Sequence, residues 1–75
     1  MESNLMDIKA GVLATAYQTS VYFSEITAAE KSGALTTVQA KNGHTVVRFC
    51  DEMCNIAYDV NSERYLTEEE IKELF

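Results

Sequence analysis

The absence of proline and the presence of only three glycines constrain this chain of 75 residues more than any other feature. Proline interrupts helices and central strands, and glycine ends helices or forms turns. Because such interruptions are few, the composition favours helices joined by short loops. A chain of this length forms one domain and buries only about 60% of its unfolded surface, so we expect marginal stability unless a partner adds to it.

Apolar residues recur at helical spacing through the first third of the chain. The pattern begins after Ser3, a candidate N-cap, and ends at Ser32 and Gly33, which provide a helix stop. A single helix over 4–31 would be about 42 Å long, whereas a compact chain of this size is about 30 Å across. We therefore predict a break near residues 18–20.

The middle of the chain fits two alternatives. Asn42 and Gly43 lie between two β-branched runs, which is typical of a two-residue hairpin turn and would place Val38 opposite Val47. A helical stripe that follows Thr45 fits equally well. This stripe comprises Val46, Val47, Cys50, Met53, Cys54, Ala57 and Val60. Because the helical interpretation accounts for more residues, we prefer it.

These patterns together predict an all-α fold, a single small helical domain over 1–75 made of a bundle of three or four short helices. The alternative is an α+β fold in which a β-hairpin at 35–49 packs on helices. The last helix is marked by Thr67 and Glu70, whose spacing forms a capping box.

The net charge of −6 lies entirely in the last third of the chain. From Asp51 onwards eight acidic residues outnumber two basic ones, and the preceding residues balance to zero. Nucleic acids and anionic membranes both bind basic surfaces, so this distribution disfavours direct contact with either. It favours a cation, or a partner protein with a basic surface.

We therefore predict a small acidic protein-interaction module that acts on a basic surface of a partner protein. Its predicted partner-binding residues are Asp51, Glu52, Tyr58, Asp59, Glu63, Tyr65, Glu68, Glu69 and Glu73. Tyr58 and Tyr65 would be the aromatic anchors. In size and charge the chain resembles regulators and inhibitors that mimic nucleic acid, some of them phage-encoded, which implies a regulatory or inhibitory role. Self-association as a homodimer through the N-terminal apolar stripe is a further hypothesis.

The stretch DVNSERYLTEEE, which begins at Asp59, resembles the loop of an EF-hand. Asp59, Asn61 and Glu63 stand at positions 1, 3 and 5, and Glu70 stands at position 12, all of which supply oxygen ligands in that family. The resemblance implies a degenerate single calcium site formed by these four residues, and calcium binding is the alternative function. Arg64 stands at position 6, where the family has glycine. The preferred interpretation is a turn followed by a capped helix.

No arrangement typical of an enzyme is evident, so we expect a non-catalytic protein without a cofactor. His44 has no nucleophile motif beside it, and no glycine-rich phosphate loop occurs. Cys50 and Cys54 fall one turn apart on the helical stripe, where we expect small buried thiols rather than a disulfide. The N-terminus does not fit a secretory signal, and no run approaches the ~20 apolar residues of a membrane span. We therefore expect a cytoplasmic protein.

Overall fold

The computed structural model describes residues 4–75. Three helices and four strands follow one another as α1 (Leu5–Tyr17), α2 (Phe23–Ser32), β1 (Leu35–Gln39), β2 (Thr45–Cys50), β3 (Asn55–Asp59), β4 (Arg64–Tyr65) and α3 (Glu68–Leu74). The strands form one antiparallel sheet in the order β1-β2-β3-β4. The fold is α+β, and the prediction of an all-α, helical domain is wrong.

The N-terminal helical pattern is divided into two helices, as predicted. Asn4 is the N-cap of α1, and its side-chain oxygen accepts a hydrogen bond from the N–H of Met6 at 2.8 Å. The predicted cap at Ser3 lies outside the described residues. Gln18 ends α1 with a left-handed backbone, so the predicted break near 18–20 is confirmed. The described chain is 33 Å in its longest dimension, too short for an unbroken helix.

The ends of α2 and α3 also follow the sequence signals. The carboxylate of Glu25 accepts a hydrogen bond from the N–H of Tyr22 at the start of α2, and Gly33 ends that helix with a φ of +86°. At the start of α3, the hydroxyl of Thr67 accepts from the N–H of Glu70, and the carboxylate of Glu70 accepts from the N–H of Thr67. The predicted capping box is confirmed.

The segment predicted as the central helix instead forms β2 and β3. The reason lies in how the sheet is covered. Val46 and Val47 are neighbours in β2 whose side chains point to opposite faces, and both are fully buried because helices pack on each face. Burial on both faces removes the alternation of apolar and polar residues that normally identifies a strand, so the pattern fits a helix as well.

The alternative hairpin at 35–49 is present, but its register differs from the predicted one by one residue. The loop has three residues, 41–43, and not two: Ala40 donates from its N–H to the carbonyl of His44 at 2.9 Å, and Gly43 adopts a φ of +85°. Val38 consequently lies opposite Val46. A shift of one residue exchanges the two faces of a strand.

The sheet is the middle layer of three. α1 and α2 cover one face, here called the α1/α2 face, and α3 covers the other, the α3 face. The larger core, between the sheet and α1/α2, contains Val12, Leu13, Ile26, Ala29, Leu35, Val47 and Phe49. The smaller core, beneath α3, contains Ala40, Val46, Ala57, Leu66 and Ile71. Within residues 4–75 none of the helices has the length and apolar character needed to cross a membrane.

Candidate functional site

The predicted partner-binding acids are distributed over opposite ends of the sheet. Asp51 and Glu52 lie in the β2–β3 turn, whereas Glu63 lies in the β3–β4 turn. These two turns are separated by the length of β3, about 16 Å for five residues. The structure therefore does not bring the two groups into one surface.

The carboxylate of Asp51 is used by its own turn. Its Oδ1 accepts hydrogen bonds from the N–H groups of Met53 and Cys54, both at 2.8 Å. Aspartate at the start of a turn commonly accepts such bonds. Glu52 is exposed beside it. Asp51 thus has a local structural role that its charge alone did not indicate.

Asp59 does not offer its charge at the surface, because its side chain is only 2% exposed. Its Oδ1 accepts from the N–H groups of Asn61 and Ser62, and its Oδ2 lies 2.8 Å from Nδ1 of His44. Burial raises the pKa of Asp59, but the hydrogen bonds from His44 and the two N–H groups outweigh burial and leave the pKa below its ordinary value of 3.8. An ionised carboxylate accepts hydrogen bonds only, so Nδ1 of His44 is the donor.

Glu70 is paired with a cation from the chain itself. Arg64 donates from Nη1 to Oε1 of Glu70 at 2.8 Å and from Nη2 to Oε2, a bidentate ion pair. The hydrogen bonds from Arg64, followed by the bond from the N–H of Thr67, lower the pKa of Glu70 from 4.5 to about 2. Arg64, which occupies the position of the EF-hand glycine, therefore binds the glutamate that the family uses for calcium.

The remaining predicted calcium ligands are also placed by the fold. Oδ1 of Asn61 accepts from the N–H of Thr45 at 2.8 Å and ties the β3–β4 turn to the start of β2. Glu63 is exposed and adopts a φ of +54°. In the part of the chain that the structure describes, no three acidic, histidine or cysteine side chains are grouped as metal ligands. Calcium binding stays a prediction, and it would require Asp59 and Glu70 to exchange their present partners.

Tyr58 and Tyr65 lie side by side on the α1/α2 face. Their rings meet edge to face with centroids 5.0 Å apart, and the hydroxyl of Tyr65 lies 3.1 Å from that of Thr15. The two rings line a shallow pocket of about 210 Å³ together with Ile8 and Gly11 of α1. Tyr65 remains 41% exposed, so it is the more accessible of the two predicted anchors.

The outer side of α3 carries the densest group of exposed carboxylates. Glu68, Glu69 and Glu73 are exposed, while Ile71 and Leu74 point towards the sheet. We call these three glutamates the α3 acidic face. The face lies across the sheet from the tyrosine pair, and β4 is the strand between them, because Arg64 points to the α3 face and Tyr65 to the α1/α2 face.

Several features of the site have no signal in the sequence. His44 and Asp59 are 15 positions apart, and only the pairing of the strands brings them into contact. Two aromatic residues at the start of α2, Tyr22 (78%) and Phe23 (68%), are strongly exposed. The number of aromatic residues indicates that some are exposed, but no motif indicates which ones.

The two cysteines are free thiols at either end of the β2–β3 turn. Cys50 is the last residue of β2 and is exposed, so the prediction that both thiols are buried on a helix is wrong. Cys54 is half-buried, and burial, with the nearby charge of Asp51, raises the pKa of its thiol. A raised pKa lowers the fraction of reactive thiolate.

Comparisons with protein-family models, with curated proteins and with solved structures find no match for this chain.

Proposed function

We propose that this protein is a non-catalytic interaction module that presents the α3 acidic face, Glu68, Glu69 and Glu73, to a basic surface of a partner protein. The observation that supports this is that some acidic side chains are used by the fold, whereas others are exposed. Asp59 and Glu70 are hydrogen-bonded within the fold, whereas the three glutamates of α3 are exposed on one side of a helix. Charges held in a fixed arrangement guide association with an oppositely charged surface.

The attachment of α3 at both ends supports its use as a binding surface. At its start, the Arg64–Glu70 ion pair connects the helix to β4, and the capping box of Thr67 and Glu70 fixes its first turn. At its end, the carbonyl of Leu74 accepts from the N–H of Lys41, and the guanidinium of Arg48 lies 4.6 Å from the ring centre of Phe75. A helix fixed in this way loses little conformational freedom when a partner binds.

The interface extends around β4 in this proposal. Glu63 precedes this short edge strand, and Tyr65 emerges from its other side. A partner that contacts the α3 acidic face and reaches over β4 meets the tyrosine as an aromatic anchor. Asp51 and Glu52, at the opposite end of the sheet, are outside this surface.

A regulatory or inhibitory role suits such a module, because an acidic surface competes with nucleic acid for a basic site. The partner is a protein, and direct contact with nucleic acid or with a membrane is disfavoured by the charge. Two free cysteines suit a reducing compartment, and we propose the cytoplasm.

An oligolysine peptide is a suitable probe of this surface. In nitrogen–proton NMR titrations we expect the amide signals of residues 63–73 to shift most, and the shifts to diminish as ionic strength rises, because salt screens exposed charges. Glu69→Lys with Glu73→Lys should weaken binding by at least about tenfold at low salt.

The matched control reverses two exposed acids that lie away from α3, Asp7 in α1 and Glu52 in the β2–β3 turn. Asp7→Lys with Glu52→Lys changes the net charge by the same amount, so any loss that reflects net charge alone would be equal in the two variants. We expect the control to bind within about threefold of the unmodified protein. Shifts centred on 51–54, or equal loss in both variants, would show that α3 is not the binding surface.

A further inference from the structure

The two edges of the sheet differ in how they are protected. β4 has only two residues and ends the sheet beneath charged side chains, whereas β1 has five residues, LTTVQ, with neither a charge nor a proline. Natural edge strands are commonly blocked by lysine, proline, a bulge or a covering loop. Three of the five residues of β1, Thr36, Thr37 and Gln39, are exposed, and β1 pairs only with β2 within residues 4–75, so none of these protections is evident in the described part of the chain.

The hydrogen bonds of β1 with β2 show which backbone groups are free. The N–H of Ala40 donates to the carbonyl of His44, and the carbonyl of Ala34 accepts from the N–H of Cys50. The backbone groups of even-numbered residues therefore point towards β2. Because these directions alternate along a strand, the groups of Leu35, Thr37 and Gln39 point away from the sheet, where β1 has no neighbouring strand among the described residues.

We infer that this free edge of β1 pairs with β1 of a second copy of the same chain, antiparallel and with the two-fold axis at Thr37. In this register Leu35 lies opposite Gln39 and Thr37 lies opposite its own copy. Each such hydrogen-bonded pair exchanges two bonds, so the three pairs provide about six bonds. The result is an eight-stranded sheet through both copies.

The side chains support a second copy as the occupant. Thr37 meets Thr37 on one face, and Thr36 meets Val38 on the other, which are favourable cross-strand combinations.

The distribution of charge also supports a second copy as the occupant. Residues before Asp51 carry no net charge, so β1 belongs to the neutral part of a chain whose total charge is −6. Two copies thus meet along an uncharged strand despite their equal overall charge.

The test uses the self-contact at the two-fold axis. In Thr37→Lys two ammonium groups lie opposite each other, and in Thr37→Glu two carboxylates do. Sedimentation equilibrium should find the unmodified protein as a dimer, and each variant should dimerise at least about tenfold more weakly. An equimolar mixture of the two variants should recover dimerisation to within about threefold, because lysine then meets glutamate. Thr37→Val should dimerise as the unmodified protein does.

The fold is expected to survive these substitutions, since the Thr37 side chain is exposed and its backbone groups do not bind β2. Circular dichroism of each variant checks this. A monomer at every concentration up to about 1 mM would overturn the inference, as would a Thr37→Lys variant that dimerises like the unmodified protein, or a mixture that fails to recover. None of these outcomes bears on oligolysine binding by α3, so the two proposals fail separately.

Discussion

A buried carboxylate such as Asp59 is costly to ionise unless hydrogen bonds replace its lost water. Here the imidazole of His44 and the backbone N–H groups of Asn61 and Ser62 provide that replacement. Asp59 therefore holds the β3–β4 turn and connects it to His44, which precedes β2. Its charge stabilises the fold from inside, which removes it from the set of acids available to a partner.

Glu70 allows a test of how the free energy of unfolding falls at acidic pH. Hydrogen bonds from Arg64 lower the pKa of Glu70 to about 2 in the folded protein, from an ordinary value of 4.5. Its contribution to stability is therefore complete above pH 4.5 and is lost progressively as the pH falls to about 2, because the unfolded chain takes up the proton first. Glu70→Gln should be less stable at neutral pH, and its stability should fall less steeply over this window. Urea unfolding at a series of pH values measures both.

Glu69→Gln is the matched control for this prediction. It removes one charge from the same helical turn, and Glu69 makes no ion pair among the described residues. We expect its pH dependence to follow that of the unmodified protein. If Glu69→Gln and Glu70→Gln change the loss of stability at acidic pH equally, the effect comes from the charge of the helix and not from the Arg64 ion pair.

Among side-chain contacts, the sequence predicted those between residues that are close along the chain. The capping box of Thr67 and Glu70 spans three positions, and it was identified correctly because its signal is local. The contact between His44 and Asp59 depends on the pairing of β2 with β3, so no local pattern contains it. The resemblance of 59–70 to an EF-hand loop is also a local pattern. In the fold, the side chains of Asp59, Asn61 and Glu70 accept hydrogen bonds from this chain itself, whereas Glu63 is exposed.

Among the elements, the β1–β2 hairpin shows how one glycine sets a register. Asn42-Gly43 predicts a two-residue turn, but Gly43 instead takes the left-handed position that closes a three-residue loop. Leu35 thereby lies opposite Phe49, and both are buried against α1 and α2. The predicted register would have placed Thr36 opposite Phe49, which would pair this buried ring with an exposed polar position.

Substitution of two glycines by alanine should therefore have opposite effects. Gly43→Ala is expected to destabilise the fold by about 1–2 kcal/mol, because a side chain disfavours the left-handed conformation. Gly11→Ala is the control: it lies within α1, where an added methyl group meets no atom within 4 Å. It should stabilise the protein by up to about 1 kcal/mol. Chemical denaturation measures both, and a neutral Gly43→Ala would contradict the three-residue loop.

Across the elements, the helical pattern was interpreted correctly for α1, α2 and α3, whereas β2 and β3 were assigned to a helix, for one physical reason. Each helix buries one side, so its apolar spacing appears in the sequence, as do the glycine that ends α2 and the capping box that begins α3. β2 buries both sides: Val46 points to α3, and Val47 and Phe49 point to α1 and α2. A strand of this kind lacks the strict alternation of apolar and polar residues, so periodicity does not distinguish it from a helix.

For the whole molecule, the three-layer arrangement separates two surfaces of different character. The β4 edge and α3 carry exposed carboxylates, and the β1 edge, at the other side of the sheet, is uncharged. A chain with one charged surface and one self-complementary edge is suited to form a symmetric dimer with two acidic faces. Two such faces on one particle increase the apparent affinity only for a partner long enough to contact both faces, whereas a short oligolysine peptide contacts one.

Because the two surfaces lie at opposite edges, we expect binding and dimerisation to be independent. Glu69→Lys with Glu73→Lys should change the dimer dissociation constant by less than about threefold at physiological salt, where exposed charges more than about 8 Å apart are screened. Conversely, Thr37→Lys and Ala28→Lys each add one positive charge at an exposed position, but only Thr37 lies in the proposed dimer contact. The two variants should therefore bind oligolysine with affinities within about threefold of each other. Sedimentation equilibrium and NMR titration of the same samples measure both quantities. A dimer that weakens when α3 is changed would show that the two surfaces are coupled and would contradict their independence; oligolysine would then change the dimer dissociation constant by the same factor by which dimerisation changes oligolysine affinity.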